Sequence, residues 1–197
     1  PTPPPEEGPP PPAGGEVLLR DDFSDPNSGW EVGEYTTGSV GYGDGYYFVT
    51  STEAGSTMWG VAFRNFTDVM IDVDATQVLA PANDNNDYGV ICRVQSNGDG
   101  YYLVISGDGY YAIYRAVDQE FEPLVEFTSS DVIRQGNATN HIRAICKGTH
   151  LVLIVNGERL AEVDDATFAE GDIGFTATTY EDEPTEIHFD NLVVTAP

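Results

Sequence analysis

Residues 87–115 read DYGVICRVQSNGDGYYLVISGDGYYAIYR, and this stretch decides the fold. Apolar and aromatic residues dominate it, as is typical of β-strands, and two Asp-Gly pairs interrupt them, Asp99-Gly100 and Asp108-Gly109. Asp-Gly supplies the positive φ angles that two-residue hairpin turns need. The stretch therefore predicts three antiparallel strands joined by two tight turns.

Side chains alternate between the two faces of each predicted strand. On the first strand this alternation directs Tyr88, Val90, Cys92 and Val94 to the core. Arg93 lies on the other, wetter face. In the second hairpin we expect two facing sets. In the first set, Tyr101, Leu103 and Ile105 lie opposite Tyr110, Ala112 and Tyr114. In the second set, Tyr102, Val104 and Ser106 lie opposite Tyr111, Ile113 and Arg115.

The second of these sets shares its face of the sheet with Arg93, and four residues of that face form the predicted ligand-binding surface. Its members are Arg93, Tyr102, Tyr111 and Arg115. Tyrosine rings stack on the apolar faces of sugars, and guanidinium groups donate hydrogen bonds in a fixed geometry. The alternative is that these tyrosines belong to the core or pack under a neighbouring loop.

The charge of the chain excludes one class of partner. Its 197 residues include 33 acidic and 8 basic side chains, for a formal net charge of −25. Nucleic-acid binding requires lysine and arginine to neutralise phosphates, so it is not expected here. No run of about 18 apolar residues is present, so no membrane span is predicted either.

The first 16 residues differ in composition from the rest. Most of the thirteen prolines lie in residues 1–12, which predicts an extended polyproline II arm or linker. The remainder, residues 17–197, has the length of one large β domain. We interpret the chain as the mature or trimmed product of an exported protein, with a cut at a convenient linker as the alternative.

The chain beyond the meander continues the same pattern. Period-two runs separated by Gly, Asn and Asp recur throughout, among them Val69 to Leu79, and Asn156-Gly157 is a strong hairpin signal. We expect about a dozen strands, with one opening at Trp30, and a single helical turn at Ala166 to Ala169. The predicted fold is an all-β, antiparallel two-sheet jelly-roll sandwich with an extended N-terminal arm.

Cys92 and Cys146 both lie in strand-like runs on faces that carry apolar residues. A disulfide between them would stabilise an exported protein by about 4 kcal/mol in the chain-entropy estimate. Two buried free thiols are the alternative. No Cys-x-x-Cys is present and the three histidines are scattered, so neither a zinc site nor a thiol nucleophile is expected.

Several short motifs, in their order along the chain, resemble one superfamily. They are DDFSDPNSGW at 21–30, YGVICRVQ at 88–95, GYYLVISGDGYYAIYR at 100–115, LVLIVNGERLAEV at 151–163, GDIGF at 171–175 and FDNLVV at 189–194. Residues 17–195 resemble the concanavalin A-like lectin and glucanase jelly rolls. More narrowly, they are similar to the laminin-G-like and DUF1080-like domains of bacterial exported proteins. This resemblance implies the fold more than the function, because the fold carries lectins, glycosidases, adhesion modules and spacers.

The catalytic members of that superfamily carry a Glu-x-Asp-x-x-Glu strand that supplies two carboxyl groups. Here Glu162-Val163-Asp164 begins the pattern, but Thr167 stands where the second glutamate belongs. We therefore expect no enzyme activity. A glycoside hydrolase is the third-ranked function.

The resemblance also implies that the opening and closing strands lie together, which would bring Asp22 close to Asp190. Carboxylates so placed favour a bound cation, and calcium prefers oxygen ligands. We therefore predict a structural Ca²⁺ at Asp22 and Asp190, with protonation of a carboxyl as the alternative. Residues 83–87 also offer oxygen ligands, but they lack the EF-hand pattern, and polar turn residues are the favoured interpretation.

Two sequons, Asn65-Phe66-Thr67 and Asn137-Ala138-Thr139, would accept N-glycans in an exported protein from a suitable host. Together these features favour an extracellular or cell-surface module, without catalysis, that binds a glycan or a surface protein. The alternative is a structural subunit of a self-assembling filament or surface layer, a homo-oligomer in which residues 1–16 dock on a neighbouring copy.

Overall fold

The computed structural model describes residues 15–197. The predicted arm, residues 1–16, therefore lies almost wholly outside the described residues. Only its last two residues are included, and there the backbone N–H of Ala196 donates to the carbonyl of Glu16 at 2.9 Å.

The described chain contains fifteen β-strands. They are β1 (Val17–Asp21), β2 (Gly33–Tyr35), β3 (Gly38–Tyr42), β4 (Tyr47–Ser51), β5 (Ser56–Val61), β6 (Val69–Leu79), β7 (Asn86–Val94), β8 (Gly100–Ile105), β9 (Tyr110–Val117), β10 (Glu120–Ser129), β11 (Thr139–Lys147), β12 (His150–Val155), β13 (Glu158–Asp164), β14 (Asp172–Thr179) and β15 (Thr185–Thr195).

The strands form two antiparallel sheets. One sheet has nine strands in the order β13-β12-β11-β6-β15-β4-β3-β2, with β1 paired to β15. The other has six strands in the order β10-β9-β8-β7-β14-β5. The predicted all-β two-sheet jelly-roll sandwich is confirmed. Residues 15–197 contain no helix that is long and apolar enough to cross a membrane.

Aromatic rings from both sheets stack in the core. Phe175 of the six-stranded sheet lies 4.2 Å from Phe189 of the nine-stranded sheet, with the ring planes 4° apart. Trp30 stacks on the other side of Phe175 at 4.7 Å. All three rings are buried, so this stack joins the two layers where their inner faces meet.

A disulfide also joins the layers. Cys92 of β7 is bonded to Cys146 of β11, and the two residues are 54 positions apart in the sequence. Both cysteines are fully buried, so the predicted pairing is found in the core.

The meander and the terminal pairing follow the prediction. Strands β7, β8 and β9 are consecutive antiparallel neighbours, and β1 pairs with β15 so that Asp21 lies opposite Leu192. Two local predictions are wrong. Trp30 precedes β2 without belonging to a strand, and residues 166–169 contain no helical turn.

The register of the second hairpin is also wrong by one residue. Tyr101 lies opposite Arg115, and Ile105 lies opposite Tyr111. The reason is the turn. The N–H of Ser106 donates to the carbonyl of Tyr110, which leaves a three-residue loop in place of a two-residue one. A slip of one residue moves every side chain of a strand to the other face.

Candidate functional site

The outer face of the six-stranded sheet carries a second apolar cluster, separate from the core. Its members are Ile91, Val94, Tyr102, Val104, Ala112 and Ala116, with Trp59, Val61 and Tyr114 packed against them. These residues come from β5, β7, β8 and β9, and they point away from the nine-stranded sheet. The six cluster members are each at most 5% exposed, so the partly buried side chains packed against them, those of Trp59, Val61 and Tyr114, form the accessible surface of this face.

A hollow of about 440 Å³ opens on this face. We call it the aromatic hollow and define it by six of its lining residues: Trp59, Asp87, Tyr102, Tyr114, Phe121 and Tyr180. Every strand of the six-stranded sheet contributes at least one lining residue: Thr57 and Trp59 from β5, Thr178 from β14, Asp87 from β7, Tyr102 from β8, Tyr114 from β9 and Phe121 from β10. The volume lies within the range of small-molecule sites.

Trp59 is held by the turn between β7 and β8. Gly98 of that turn has φ +88°, and a Cβ added there would lie 2.6 Å from Cζ2 of Trp59. The hydroxyl of Tyr102 donates to the carbonyl of Gly98 at 2.7 Å. A glycine is needed at this position both for its backbone conformation and for its close approach to the indole ring.

The tyrosines are positioned by edge-to-face contacts with β10. The ring centroid of Tyr102 lies 5.1 Å from that of Phe121. The ring of Tyr114 lies 5.6 Å from that of Phe127. Such pairs limit ring motion, yet Phe121 and Phe127 are each more than 40% exposed and leave ring surface open to a ligand.

The floor of the hollow contains one carboxyl group, that of Asp87. Its side chain is buried, with 3% of the residue exposed, and Oδ2 accepts a 2.5 Å hydrogen bond from the hydroxyl of Tyr180. Burial raises the pKa of Asp87 to about 6, against the opposing hydrogen bonds from Tyr180 and Thr178. Burial, together with the negative charge of Asp87, raises the pKa of Tyr180 and of Tyr114.

A second buried carboxyl lies behind the wall of the hollow. Asp99 accepts hydrogen bonds from the backbone N–H groups of Asp118 and Gln119 and from the side chain of Asn97. Burial opposes ionisation of Asp99, but these hydrogen bonds outweigh it and hold its pKa below the usual value. Asn97 and Gln119 themselves line the hollow and offer polar groups at its edge.

A second hollow, of about 530 Å³, continues from the first across β5. The two hollows share Thr57 and Trp59, so the indole ring stands between them. Tyr35 and Phe63 line the second hollow and are the exposed aromatic residues there. Neither hollow is lined by a lysine, arginine or histidine of the described chain.

Arg93, which we predicted on this surface, lies on the opposite side of the sheet. It is 2% exposed and has φ +56°. It sits at an irregularity of the β7–β14 register, between the residues paired with Asp172 and Ile173. This extra residue breaks the alternation of side chains, and it also moves Val94, predicted in the core, to the outer cluster.

Two more of the four predicted binding residues are misplaced because of the shifted register. Tyr111 packs against the main core. Arg115 donates to Asp165 at 2.8 Å and forms an ion pair with Glu122. Only Tyr102 lies on the outer face as predicted. The sequence carried no comparable signal for Trp59 or Tyr180, because each comes from a strand or loop distant in the chain from the meander.

The residues of the predicted calcium site are near one another but already engaged. Asp22 accepts hydrogen bonds from Ser24, and Asp190 accepts one from the N–H of Asn191. Burial, followed by the negative charges of Asp74 and Asp22, raises the pKa of Asp190. Within residues 15–197 no group of three or more His, Cys, Asp or Glu side chains is placed to hold a metal. Calcium binding stays a prediction, for which a calcium-dependent melting temperature is the test.

The remaining predicted sites lie on other parts of the surface. Both sequon asparagines, Asn65 and Asn137, are exposed, and N-glycosylation stays a prediction. Glu162 and Asp164 lie on β13 at the edge of the nine-stranded sheet. Glu162 there pairs with Arg159 at 2.7 Å and lines neither hollow.

Solved structures share this fold at low sequence identity. The carbohydrate-binding module CBM66 from Bacillus subtilis matches with a TM-score of 0.63 and 12% identity, over 86% of this chain and 96% of that one. A Bacillus licheniformis β-glucanase matches with a TM-score of 0.67 and 10% identity, over 94% and 99%. The carbohydrate recognition domain of Emp47p matches with a TM-score of 0.61 and 13% identity, over 90% and 94%.

These likenesses show the jelly-roll fold, and the resemblance to the concanavalin A-like superfamily stays a prediction. The narrower resemblance to laminin-G-like and DUF1080-like domains stays a prediction. No protein-family model matches the sequence, and no curated protein matches it.

Proposed function

We propose that this protein is a non-catalytic, extracellular or cell-surface module that binds a glycan in the aromatic hollow. The observation that carries the proposal is the set of rings from Trp59, Tyr102, Tyr114, Phe121 and Tyr180 around one hollow on the outer face of the six-stranded sheet. Sugar rings have apolar faces that pack on aromatic surfaces, while their hydroxyl groups require hydrogen-bond partners.

The polar groups of the hollow suit those hydroxyl groups. Asn97 and Gln119 offer amides, Thr57 and Thr178 offer hydroxyls, and Asp87 offers a carboxyl. The surface runs from β10 to β5 and continues into the second hollow. Five strand spacings correspond to about 24 Å, which is enough for an oligosaccharide. The ligand class we propose is therefore a glycan chain.

A binding role is favoured over hydrolysis by the carboxyl groups. Glycosidases of this architecture need a pair of carboxyls across the scissile bond, whereas Asp87 is the one carboxyl among the described residues that line the aromatic hollow. The solved carbohydrate-binding neighbours support a glycan ligand, and the disulfide supports an oxidising, extracellular setting.

The test is glycan binding by wild type, Trp59→Ala and Tyr46→Ala. Tyr46 is the matched control, because it stacks on His188 at 3.7 Å on the nine-stranded sheet, away from the hollow. We expect calorimetry against a panel of neutral and amino-sugar oligosaccharides to show binding that Trp59→Ala weakens by about tenfold or more. Tyr46→Ala should bind like wild type. No binding to any glycan, or equal losses in both variants, would refute the proposal.

A further inference from the structure

The aromatic hollow has aromatic walls, and the carboxyl group at its floor has no cationic partner among the lining residues. Asp87 is buried beneath Tyr180 and Tyr114 and lines the hollow. Its resolved side-chain partners are hydroxyl groups, those of Tyr180 and Thr178. All eight lysines and arginines lie within the described residues, and none of them lines the hollow. A buried carboxylate without a cationic partner is an unusual and costly arrangement.

Two carboxylates on different sides of the hollow contribute negative electrostatic potential to it. Asp87 lies at the floor, and Asp99 lies behind the turn that carries Asn97 and Gly98. The charges of both carboxylates act on the phenol of Tyr102. The other titratable groups that face Asp87 are the phenols of Tyr114 and Tyr180, which are neutral at physiological pH. No group of the hollow supplies a positive charge.

The aromatic walls of the hollow also favour a positively charged ligand over a negatively charged one. The faces of tryptophan, tyrosine and phenylalanine rings carry negative potential and attract cations. A ligand with a carboxylate, sulfate or phosphate would be repelled by Asp87 and Asp99 without any compensating contact. A ligand with an ammonium group would meet both the aromatic faces and the carboxylate.

We propose that the glycan bound in the aromatic hollow is a cationic one, an oligosaccharide of hexosamine units with free amino groups. In this arrangement a sugar ring packs on Trp59, and an ammonium group donates to the carboxylate of Asp87. The inference rests on the proposed function, since it names the ligand class of the same site.

The experiment compares two oligosaccharides of equal length, a glucosamine tetramer and its N-acetylated counterpart. Both have the same ring shape, and only the first carries ammonium groups. Calorimetry in salt near physiological ionic strength screens general attraction to a chain of net charge −25. We expect the amino form to bind about tenfold more tightly, the range of a hydrogen bond between charged groups.

Two charge-matched variants separate a specific contact from general attraction. Asp87→Asn should abolish the preference for the amino form. Asp44→Asn removes the same charge from an exposed residue between β3 and β4 and should leave the preference intact. Equal reductions in the two variants would show non-specific attraction and overturn the inference.

A second variant covers the case in which Asp87→Asn fails to fold. Tyr180→Phe keeps the ring but removes the hydroxyl that donates to Asp87. The carboxylate is then less readily ionised, so the amino form should bind more weakly near pH 6.5. Binding that is equally tight for both tetramers in wild type would overturn the inference while the proposed function stands. Absence of binding to every glycan would instead refute both.

Discussion

The hydroxyl of Tyr180 donates a hydrogen bond of 2.5 Å to Oδ2 of Asp87. This contact joins the end of β14 to the start of the meander, since Tyr180 directly follows β14 and Asp87 is the second residue of β7. It also places a titrating carboxyl under the aromatic hollow. The stability of the fold and the charge of the hollow therefore depend on the same group.

We predict that Asp87→Asn stabilises the protein above pH 6. The pKa of Asp87 is raised from 3.8 to about 6, so the stability associated with its protonated form is present below pH 3.8 and lost as the pH rises through 6. A shift of about two units corresponds to about 3 kcal/mol. Asparagine stays neutral, so denaturant unfolding should show the variant more stable at pH 7.5 and similar to wild type at pH 4. A variant that is less stable at pH 7.5 would contradict this.

A second prediction concerns the disulfide between Cys92 and Cys146. Its loop spans 54 positions, for which the chain-entropy estimate is about 4 kcal/mol. The double variant Cys92→Ala, Cys146→Ala should lose stability of this order in denaturant unfolding, and wild type should lose a similar amount in reductant. Mass measurement after alkylation without reduction checks the bond itself, and two alkylated thiols would contradict it.

A third prediction concerns His141 on the outer face of the nine-stranded sheet. Its ring nitrogens contact Asp72 at 3.1 Å and Asp74 at 2.8 Å. These contacts, first with Asp72 and then with Asp74, raise the pKa of His141 to about 9.

Because the folded-state pKa is above 6.5, this stabilisation is fully present below pH 6.5 and lost as the pH rises through about 9. The melting temperature of wild type should fall across that window, and His141→Asn should flatten the fall. His150→Asn, at a more exposed position, is the matched control. An unchanged profile in His141→Asn would count against the assignment.

Much of the fold could be predicted because it follows from local pattern. Strand β6 begins and ends at the residues expected from alternation alone, Val69 and Leu79. Cys92 and Cys146 each occupy core-facing positions of strands, so their alternation already placed them on the faces that meet. Such features need only the period of a strand and the exclusion of apolar side chains from water.

The candidate site was harder to predict, because one extra residue in a strand or loop changes the face of the sheet on which each following side chain lies. The three-residue loop between Ser106 and Tyr110 and the extra residue at Arg93 each shift the phase of alternation by one. Asp-Gly sequences occur in loops of both lengths, so composition could not distinguish them. Trp59 joins the site only through the pairing of β5 with β14, a long-range contact that no local pattern reveals.

The last prediction follows from the position of Arg93, which we expect to serve the fold and not a ligand. Its guanidinium donates to the carbonyl of Thr67 at 3.1 Å, to that of Gly148 at 2.6 Å and to that of Phe168 at 2.8 Å. It also pairs with Asp68 at 3.2 Å. Three chain segments, at residues 67–68, 148 and 168, are thus held by one buried side chain.

Lysine cannot reproduce this planar set of donors, so Arg93→Lys should leave buried carbonyl groups unpaired. We expect a loss of about 2 kcal/mol or more in denaturant unfolding, with glycan affinity unchanged in the protein that remains folded. The matched control is Arg159→Lys, whose side chain is 62% exposed and pairs with Glu162. It should change stability by less than about 0.5 kcal/mol. If Arg93→Lys instead keeps full stability but loses glycan binding, Arg93 belongs to the binding site after all.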